Sequence, residues 1–354
     1  MGDYYRRRFS ARANQNKLAQ CAEMNALDLT LEQKLPLEIE RWRSCTAFHS
    51  QKWVEFCERN LNLTVEHAVI RNGPEVVAYV PVISAAAKHS HKRCGPALSG
   101  SVPQLIFSDE FNERVNAINA SLADAALSAL VLSDSETSST SAFSLDMNGT
   151  FEDYWSNRVS AKAKYDVRKS ERESLTTEYL DTDRLNAFYP LYLRRMQELG
   201  SPGFGLQLFR GMADVFGEEL QFVITKKDDQ IVAASTLFTH AGRWMAHPWS
   251  VSHSGFRSAS VNYGHYRDII RYGFDNGYTI FSMGPSLRNS PWCRIKQRFG
   301  AIEHSVIRTD GLPLIHASQR LPVRLLGPLI KRCPPALYRL YAPWLANLAL
   351  KHMR

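Results

Sequence analysis

The segment from Leu220 to Gly300 contains the residues whose types and spacing best suit chemistry. His247 and Trp249 lie two positions apart on a predicted strand, so both side chains are expected on one face of that strand. The imidazole of His247 is a candidate base, and the indole of Trp249 is a candidate stacking surface for a substrate. The alternative is that the two residues form a half-buried structural pair. Arg298 lies in a basic segment further on, and its guanidinium suits a phosphate, with a surface salt bridge as the alternative.

Nucleophilic catalysis and metal catalysis are not indicated by the sequence. The Gly-x-Ser-x-Gly signature of a nucleophile elbow is absent, and no thiol-enzyme motif occurs. The eleven histidines are scattered without a His-Glu-x-x-His motif, and no two cysteines have Cys-x-x-Cys spacing. We therefore predict no metal site.

Three predicted strands and one helix position these candidate residues. The strands are Leu220–Thr225, Gln230–Thr239 and Arg243–Val251. Each is an apolar run bounded by turns rich in Asp or Gly, which is the pattern of strands in hairpins. The helix is predicted from Val261 to Phe274, because apolar residues recur there at steps of three and four. A short strand and the basic Lys-Gln-Arg-Phe-Gly segment follow this helix.

A set of short motifs surrounds these elements. In chain order they are Thr46–Trp53, Arg168-Lys169, Met196–Pro202, Phe281–Gly284 and Lys296–Gly300. Together with the predicted sheet and helix, their order and spacing resemble the FemAB-like branch of the GNAT acyltransferases, which includes BioF2-like acetyltransferase domains. One departure concerns Ser282-Met283-Gly284, where the family often has Asp-Phe-Gly, so a carboxylate is missing at that position.

The resemblance implies roles for several residues. Lys296 matches the family's lysine before Phe-Gly, where a cation would neutralise a phosphate or the forming oxyanion, and a solvated surface lysine is the alternative. Arg168 and Lys169 match a basic pair that would bind tRNA or a nucleotide phosphate, and a solvated helix face is the alternative. Asn262 and Tyr263 open the predicted helix, where ligand-facing groups lie in this fold, although Tyr263 could instead belong to the core.

The resemblance also implies a reaction. An acceptor amine attacks the carbonyl of an activated donor directly, so the protein must align both partners, stabilise the oxyanion and let the amine lose a proton. In Fem-type enzymes the donor is an aminoacyl-tRNA and the acceptor is a peptidoglycan precursor. The stretch Ser254–Gly264 does not match the pyrophosphate-binding loop of acetyl-CoA enzymes, which favours another donor or another way of holding it.

The expected partners follow from this reaction. We expect acyl-CoA or aminoacyl-tRNA as the donor substrate, no permanently bound cofactor, and an amide formed on an amine-bearing cell-envelope or polysaccharide precursor. One alternative is a binding module of the same fold without catalysis, since both the pyrophosphate loop and the carboxylate at Ser282 are missing. A membrane-surface adaptor is the other alternative.

An internal repeat predicts the domain organisation. His67–Ala78 lines up with Phe222–Ala233 at an offset of 155 residues, and a helix is predicted before each segment, the first with Ser50 as its N-cap. The alternative is that any two hairpins look alike. The fold class implied is α+β, with two tandem GNAT-like domains, each a mixed, mostly antiparallel sheet flanked by helices. The predicted ranges are an N-terminal extension (1–34), a first domain (35–145), a second domain with the Fem-like motifs (146–310) and a basic tail (311–354).

The net charge of +8 is concentrated in the tail. From Gly311 to Arg354 there are seven Lys or Arg residues and no Asp or Glu. The tail could lie along an anionic membrane surface, pack on the body as a helical appendage, or bind nucleic acid. The sequence shows no signal peptide and no run of eighteen apolar residues, and its cysteine usage suits a reducing compartment. We therefore expect a cytoplasmic protein, with peripheral contact at the inner face of the membrane as an option.

Overall fold

The computed structural model describes residues 27–85, 93–94, 106–109, 140–180, 185–305 and 321–352. They divide into two compact units, the first holding the described residues up to 109 and the second holding those from 140 onward. Most of the predicted N-terminal extension lies outside the described residues. The domain boundaries predicted at residues 34, 145 and 310 stay a prediction.

The described residues of the first unit form a small antiparallel sheet with one α-helix. Its strands are β1 (Leu27–Glu32), β2 (Leu63–Asn72), β3 (Glu75–Ala85), β4 (Arg93–Cys94) and β5 (Ile106–Phe107), and the helix is α1 (Gln51–Leu61). The order is β1-β2-β3-β4, and β5 also pairs with β3. Helix α1 begins after Ser50, whose hydroxyl accepts a hydrogen bond from the Trp53 N–H as predicted for an N-cap. Trp53 and Phe56 on α1 are buried.

The second unit is built on an eight-stranded sheet. Its strands are β6 (Thr140–Asp146), β7 (Leu175–Leu180), β8 (Leu220–Lys227), β9 (Gln230–His240), β10 (Trp244–Ala246), β11 (Ser250–Ser252), β12 (Ile280–Leu287) and β13 (Ile302–Ser305). The order is β13-β6-β12-β10-β9-β8-β7, and β11 also pairs with β9. Among the described pairs, β10 and β12 run parallel while the others are antiparallel. The predicted α+β fold class with mostly antiparallel sheets is confirmed.

Helices cover both faces of this sheet. They are α2 (Phe151–Asn157), α3 (Ala161–Glu171), α4 (Leu185–Leu199), α5 (Leu206–Phe216), α6 (Val261–Asp275), α7 (Pro291–Arg298), α8 (Leu321–Arg332) and α9 (Pro335–His352). Val223 of β8 joins the core under α2, α3 and α6, while its neighbour Phe222 packs against Phe188 of α4. Neighbouring strand residues point to opposite faces, so the apolar run in β8 serves two layers at once.

The predicted repeat is visible in the geometry of both units. Helices α1 and α5 have the same length and begin 155 residues apart. Each hairpin has a register shift at the same repeat position, after Ile70 in the first and after Thr225 in the second. Gly73 and Asp228, again 155 residues apart, both have positive φ in the turn. The two units thus have the same helix length, the same bulge position and the same positive-φ turn residue. This agreement indicates two copies of one supersecondary unit rather than two hairpins that look alike by chance.

The packing of α6 on α3 generates a prediction about stability. A Cβ at Gly264 would lie 2.6 Å from Ser170 Oγ and 3.1 Å from Ser170 Cβ. Gly264→Ala should therefore destabilise the protein by about 1–3 kcal/mol, despite the better helix propensity of alanine. Urea unfolding would measure this change. In the double variant with Ser170→Ala the loss should be smaller than the sum of the single losses, and simple additivity would contradict the contact.

Candidate functional site

The parallel strands β10 and β12 separate after three paired residues. Their pairing ends at Ala246 opposite Ser282. Beyond this point β11 pairs with β9, whereas β12 continues along β6. No strand pairing therefore joins residues 247–252 to residues 283–287, although the chains lie side by side just before. We call this place the strand split.

Two bulges lie at the strand split. Between β10 and β11 the chain takes four steps from Ala246 to Ser250, while the partner β9 takes three steps from Phe238 to Ser235. On β12, Met283 is an extra residue relative to β6. Bulges of this kind bend a strand, end its pairing and redirect side chains, and they are common beside functional sites.

The first bulge overturns one prediction about His247 and Trp249. We predicted a continuous strand from Arg243 to Val251 with both side chains on one face. Instead, the His247 ring lies 4.8 Å from the Tyr266 ring of α6, whereas the Trp249 ring lies 5.5 Å from the Phe209 ring of α5. The prediction of a shared face is wrong, because the extra residue breaks the alternation and the intervening proline cannot donate a ladder hydrogen bond. Trp249 is buried in an aromatic cluster.

His247 is a buried imidazole without a hydrogen bond. The residue is 4% exposed, and neither ring nitrogen has a hydrogen-bond partner among the described residues. Burial lowers the pKa of His247 well below its ordinary value, and the nearby Lys296 ammonium lowers it further. The ring is therefore neutral over a wide pH range. Native proteins rarely leave a buried polar group unpaired, and such groups occur preferentially where a ligand binds or a proton moves.

Lys296 is buried on α7 beside the strand split. It is 4% exposed, and its Nζ donates to the carbonyl oxygens of Gly284 at 2.8 Å and Pro285 at 3.2 Å. Burial lowers the pKa of Lys296 to about 7. The alternative of a solvated surface lysine is therefore wrong. The two residues predicted as catalytic, Lys296 and His247, lie close enough for the charge of one to shift the pKa of the other.

The motif around Lys296 has a structural explanation. The Ser290 hydroxyl accepts from the Cys293 N–H and starts α7, and Lys296 lies one turn later on the buried side. Phe299 is fully buried in the core under α6. Gly300 has φ +76°, and a Cβ there would lie 2.8 Å from the Arg158 carbonyl oxygen. The Lys-x-x-Phe-Gly pattern therefore anchors the end of the helix that presents the lysine.

Arg298 and Tyr263 bind each other. The Arg298 guanidinium donates to the Tyr263 hydroxyl at 2.7 Å, and this bond joins α7 to the first turn of α6. Tyr263 also packs its ring 5.9 Å from the ring of Phe299. Asn262 precedes it and is partly buried. The predicted binding residues Arg298 and Tyr263 thus lie together in the structure. The guanidinium of Arg298, however, is used to hold α7 against α6.

Arg168 lies elsewhere, in a cavity on the outer side of α6. The cavity has a volume of about 230 Å³, and its lining residues are Phe151, Trp155, Lys164, Val167, Arg168, Glu171, Arg267 and Arg271. The rings of Phe151 and Trp155 stack at 5.5 Å, and the Arg271 guanidinium lies 3.9 Å from the centre of the Phe151 ring. The lining combines aromatic surface with four cations against one carboxylate. Neither Lys169 nor the pair at the strand split lines it.

A buried polar chain beside the site was not predicted from the sequence. His265 hydrogen-bonds through its two ring nitrogens to Thr225 at 2.8 Å and Ser235 at 2.7 Å. Thr225 contacts Thr177, which donates to Asp268 at 2.5 Å. Burial lowers the pKa of His265 to about 3, so the ring is neutral. One sign of this role could be read from the sequence, namely the position of His265 on the buried face of the predicted helix α6. Within the described residues, no group of three or more His, Cys, Asp or Glu side chains could hold a metal ion.

Comparisons with known proteins identify the fold around this site. Residues 158–292 match the family described as an acetyltransferase (GNAT) domain. The crystal structure of FemX is similar with a TM-score of 0.55 at 11% identity, covering 75% of this chain and 92% of that one. A tandem GNAT protein from the clavulanic acid biosynthesis pathway has a TM-score of 0.42 at 11% identity, over 78% and 95% of the two chains. The L-PGS of Bacillus licheniformis has a TM-score of 0.42 at 13% identity, over 73% and 87%.

A search of curated protein sequences gave no significant match. The likeness to FemX is therefore one of fold.

The buried charge of Lys296 predicts a pH dependence of stability. Because its pKa falls from 10.5 in the unfolded chain to about 7 in the folded one, the unfolded state binds more protons between these values. Wild-type stability should therefore rise relative to Lys296→Met by about 3 kcal/mol between pH 6.5 and pH 9.5. Urea unfolding of both proteins at several pH values would measure the difference.

Arg294→Met is the matched control for this prediction. Arg294 lies on the same helix but is exposed, so its removal should leave the pH profile parallel to that of the wild type. Parallel profiles for Lys296→Met and the wild type would show that Lys296 titrates at its ordinary pKa.

Proposed function

We propose that the protein transfers an acyl or aminoacyl group to an amine, because residues 158–292 match an acetyltransferase (GNAT) domain and the fold is similar to that of FemX. The product is an amide on a cell-envelope or polysaccharide precursor. The observation that carries the proposal is that Lys296 and the unpaired, neutral His247 are both buried at the strand split, where the Lys296 ammonium lowers the pKa of His247. Below its pKa of about 7 the lysine is a cation, so the site combines a cation with a neutral base, as direct acyl transfer requires.

The strand split suits the donor. Residues 247–252 and residues 283–287 do not pair with each other. An extended donor chain can therefore hydrogen-bond to the backbone groups of these segments, as an added β-strand does. Its reactive carbonyl then lies near Lys296. The ammonium stabilises the oxyanion, since it is already held by two carbonyl oxygens and needs little reorganisation.

The proton steps involve His247. The acceptor amine attacks the donor carbonyl, a C–N bond forms, and the amine nitrogen becomes positively charged and acidic. His247, kept neutral by burial and by Lys296, accepts this proton despite its lowered pKa. The C–S bond of the thioester or the C–O bond of the ribose ester then breaks in the tetrahedral intermediate, and the leaving thiolate of CoA or ribose alkoxide of the tRNA takes the proton from His247. No covalent enzyme intermediate and no permanently bound cofactor are needed.

The cavity with Arg168 supports a phosphate-bearing donor. Both acyl-CoA and aminoacyl-tRNA carry phosphates and aromatic bases, and the cavity offers cations beside a stacked aromatic pair. Lys169, next in sequence, adds positive charge to the same helix. Trp249 has the contacts of a core residue, and Arg298 supports Tyr263, so we assign both an indirect role in holding the site. Asn262 stays a candidate for donor contact at the start of α6.

The acceptor is proposed from the likeness to FemAB-like proteins. Such an acceptor, an amine on an envelope precursor, would be met in the cytoplasm or at the inner face of the membrane. The competing proposal is a binding module without catalysis, which is favoured by Ser282 at the last paired residue of the strand split where relatives often carry an acid.

Substitution of the central pair tests catalysis. With acyl-CoA or aminoacyl-tRNA donors and a panel of amine acceptors, Lys296→Met should lower kcat by about 100–1000-fold, because oxyanion stabilisation is lost. His247→Gln should lower kcat by about 100-fold or more, because it removes the base. Thiol release or transfer of a labelled aminoacyl group measures both effects.

Arg294→Met serves again as the control, and its activity should equal that of the wild type. If Lys296→Met stays fully active with a substrate that the wild type uses, the site assignment is wrong. If a donor raises the thermal unfolding temperature but no acceptor is ever acylated, the binding module is the correct function.

The role of the cavity gives a separate kinetic prediction. Arg168 is exposed and has no ion pair within the described residues, so its removal should not disturb the fold. Arg168→Ala should raise KM for the donor by about tenfold and leave kcat nearly unchanged, as expected when binding alone is lost. Arg172→Ala, an exposed change on the same chain segment outside the cavity, is the control. An unchanged KM for Arg168→Ala would remove the cavity from donor binding.

A further inference from the structure

Helices α8 and α9 are packed on the body of the second unit through one side. Ile330 and Tyr338 form a buried cluster with Leu193 of α4. The Tyr338 hydroxyl donates to the Ser201 carbonyl oxygen at 2.8 Å, and the Gln197 amide donates to the Cys333 carbonyl oxygen at 2.6 Å. These contacts fix which sides of the two helices are hidden and which remain outside.

The outer sides of both helices carry large apolar side chains. We call this surface the C-terminal apolar face, and its members are Leu326 (42% exposed), Leu329 (67%), Leu337 (53%), Leu340 (77%) and Trp344 (62%). On α9 the exposed residues follow i, i+3, i+7 spacing, while the buried Tyr338, Ala342 and Ala346 lie on the opposite side. An amphipathic helix normally hides its apolar side, but α9 has apolar residues on both.

This exposure is concentrated rather than scattered. Nine large hydrophobic residues are exposed in the described part of the chain, and five of them belong to the C-terminal apolar face. Single exposed leucines are ordinary, whereas a cluster marks a surface that meets another apolar phase. A tryptophan at the edge of such a cluster is typical of contact with a membrane interface.

The charge of the same segment selects the partner. Residues 311–354 contain seven Lys or Arg residues and no acid, and Lys331, Arg332 and Arg339 are exposed in the structure. A symmetric contact with a second copy would bring these positive charges together without a compensating carboxylate. An anionic lipid surface provides both kinds of contact: its acyl chains can bury the leucines, and its negative headgroups can bind the cations.

No helix among the described residues is long and apolar enough to cross a membrane. We propose that the C-terminal apolar face binds the surface of an anionic phospholipid bilayer, with α8 and α9 lying along it. This inference goes beyond acyl transfer and does not depend on it. It assigns the exposed leucines and Trp344 to the lipid interface and Arg332 and Arg339 to the headgroups.

Vesicle flotation with the full chain tests the apolar part of the proposal. Vesicles of phosphatidylcholine with about one third phosphatidylglycerol should bind the protein. Leu340→Glu combined with Trp344→Glu should weaken binding at least tenfold, because two exposed apolar side chains lose their burial in lipid. Leu37→Glu, a change at an exposed leucine of the first unit (82%), should bind like the wild type.

Removal of charge tests the electrostatic part. Arg332→Ala and Arg339→Ala should each weaken binding by about fivefold, which corresponds to about 1 kcal/mol per basic residue near anionic lipid. Raised salt should reduce this difference. Circular dichroism of each variant would show that the helices remain.

Several results would overturn the proposal. Equal binding to vesicles of pure phosphatidylcholine would remove the role of charge, and loss of binding with Leu37→Glu would remove the role of the face. A dimer in sedimentation experiments that dissociates in the Leu340→Glu and Trp344→Glu variant, without vesicle binding by the wild type, would assign the face to a second copy. Transfer to a soluble amine, measured in the same variants, should stay unchanged whatever the vesicles show.

Discussion

The candidate site depends on a buried ammonium group held by two backbone carbonyls. Lys296 donates to Gly284 and Pro285, which lie two and three residues beyond Ser282, the last residue of β12 that pairs with β10. Where strands pair, such carbonyls accept hydrogen bonds from a neighbouring strand. Here the neighbouring strand has turned away, and the lysine takes over part of that task. Lys296 therefore obtains its hydrogen-bond acceptors from the strand split. The carbonyls of Gly284 and Pro285 in turn obtain a donor from Lys296.

The strand split itself arises from two irregularities at one level of the sheet. Pro248 lies inside the bulge between β10 and β11, and Met283 is the extra residue in β12. Either bulge alone would bend one strand, but side by side they end the parallel pairing. His247 faces α6, as Met245 two residues earlier does, whereas the bulge turns Trp249 toward α5. Opening the sheet and separating His247 from Trp249 are thus consequences of one local change.

The surrounding structure keeps the strand split in shape from several sides. Phe299 and Gly300 lock the end of α7, and the bond between Arg298 and Tyr263 ties α7 to α6. The polar chain through His265 joins α6 to the centre of the sheet. A buried, polarised site is costly in a core, so its neighbours must be well packed and satisfied. The imidazole of His247 has no hydrogen-bond partner among the described residues, and in the proposed function a bound substrate provides one.

From the sequence alone, most of the helices and strands of the second unit and the internal repeat could be predicted, and Lys296 and His247 could be named as candidate site residues. Periodicity and turn residues are local properties, so the hairpins, α6 and the cap at Ser50 could be read from neighbouring residues. The motif around Lys296 pointed to the lysine, but not to its burial or its lowered pKa, since both result from residues distant in sequence. Three features became visible only in the folded chain: Ala246 and Ser282 end a parallel pair, His247 and Trp249 face opposite layers, and His265 is hydrogen-bonded in the core. A bulge is defined by the register of two strands, and a register exists only when both strands are in place.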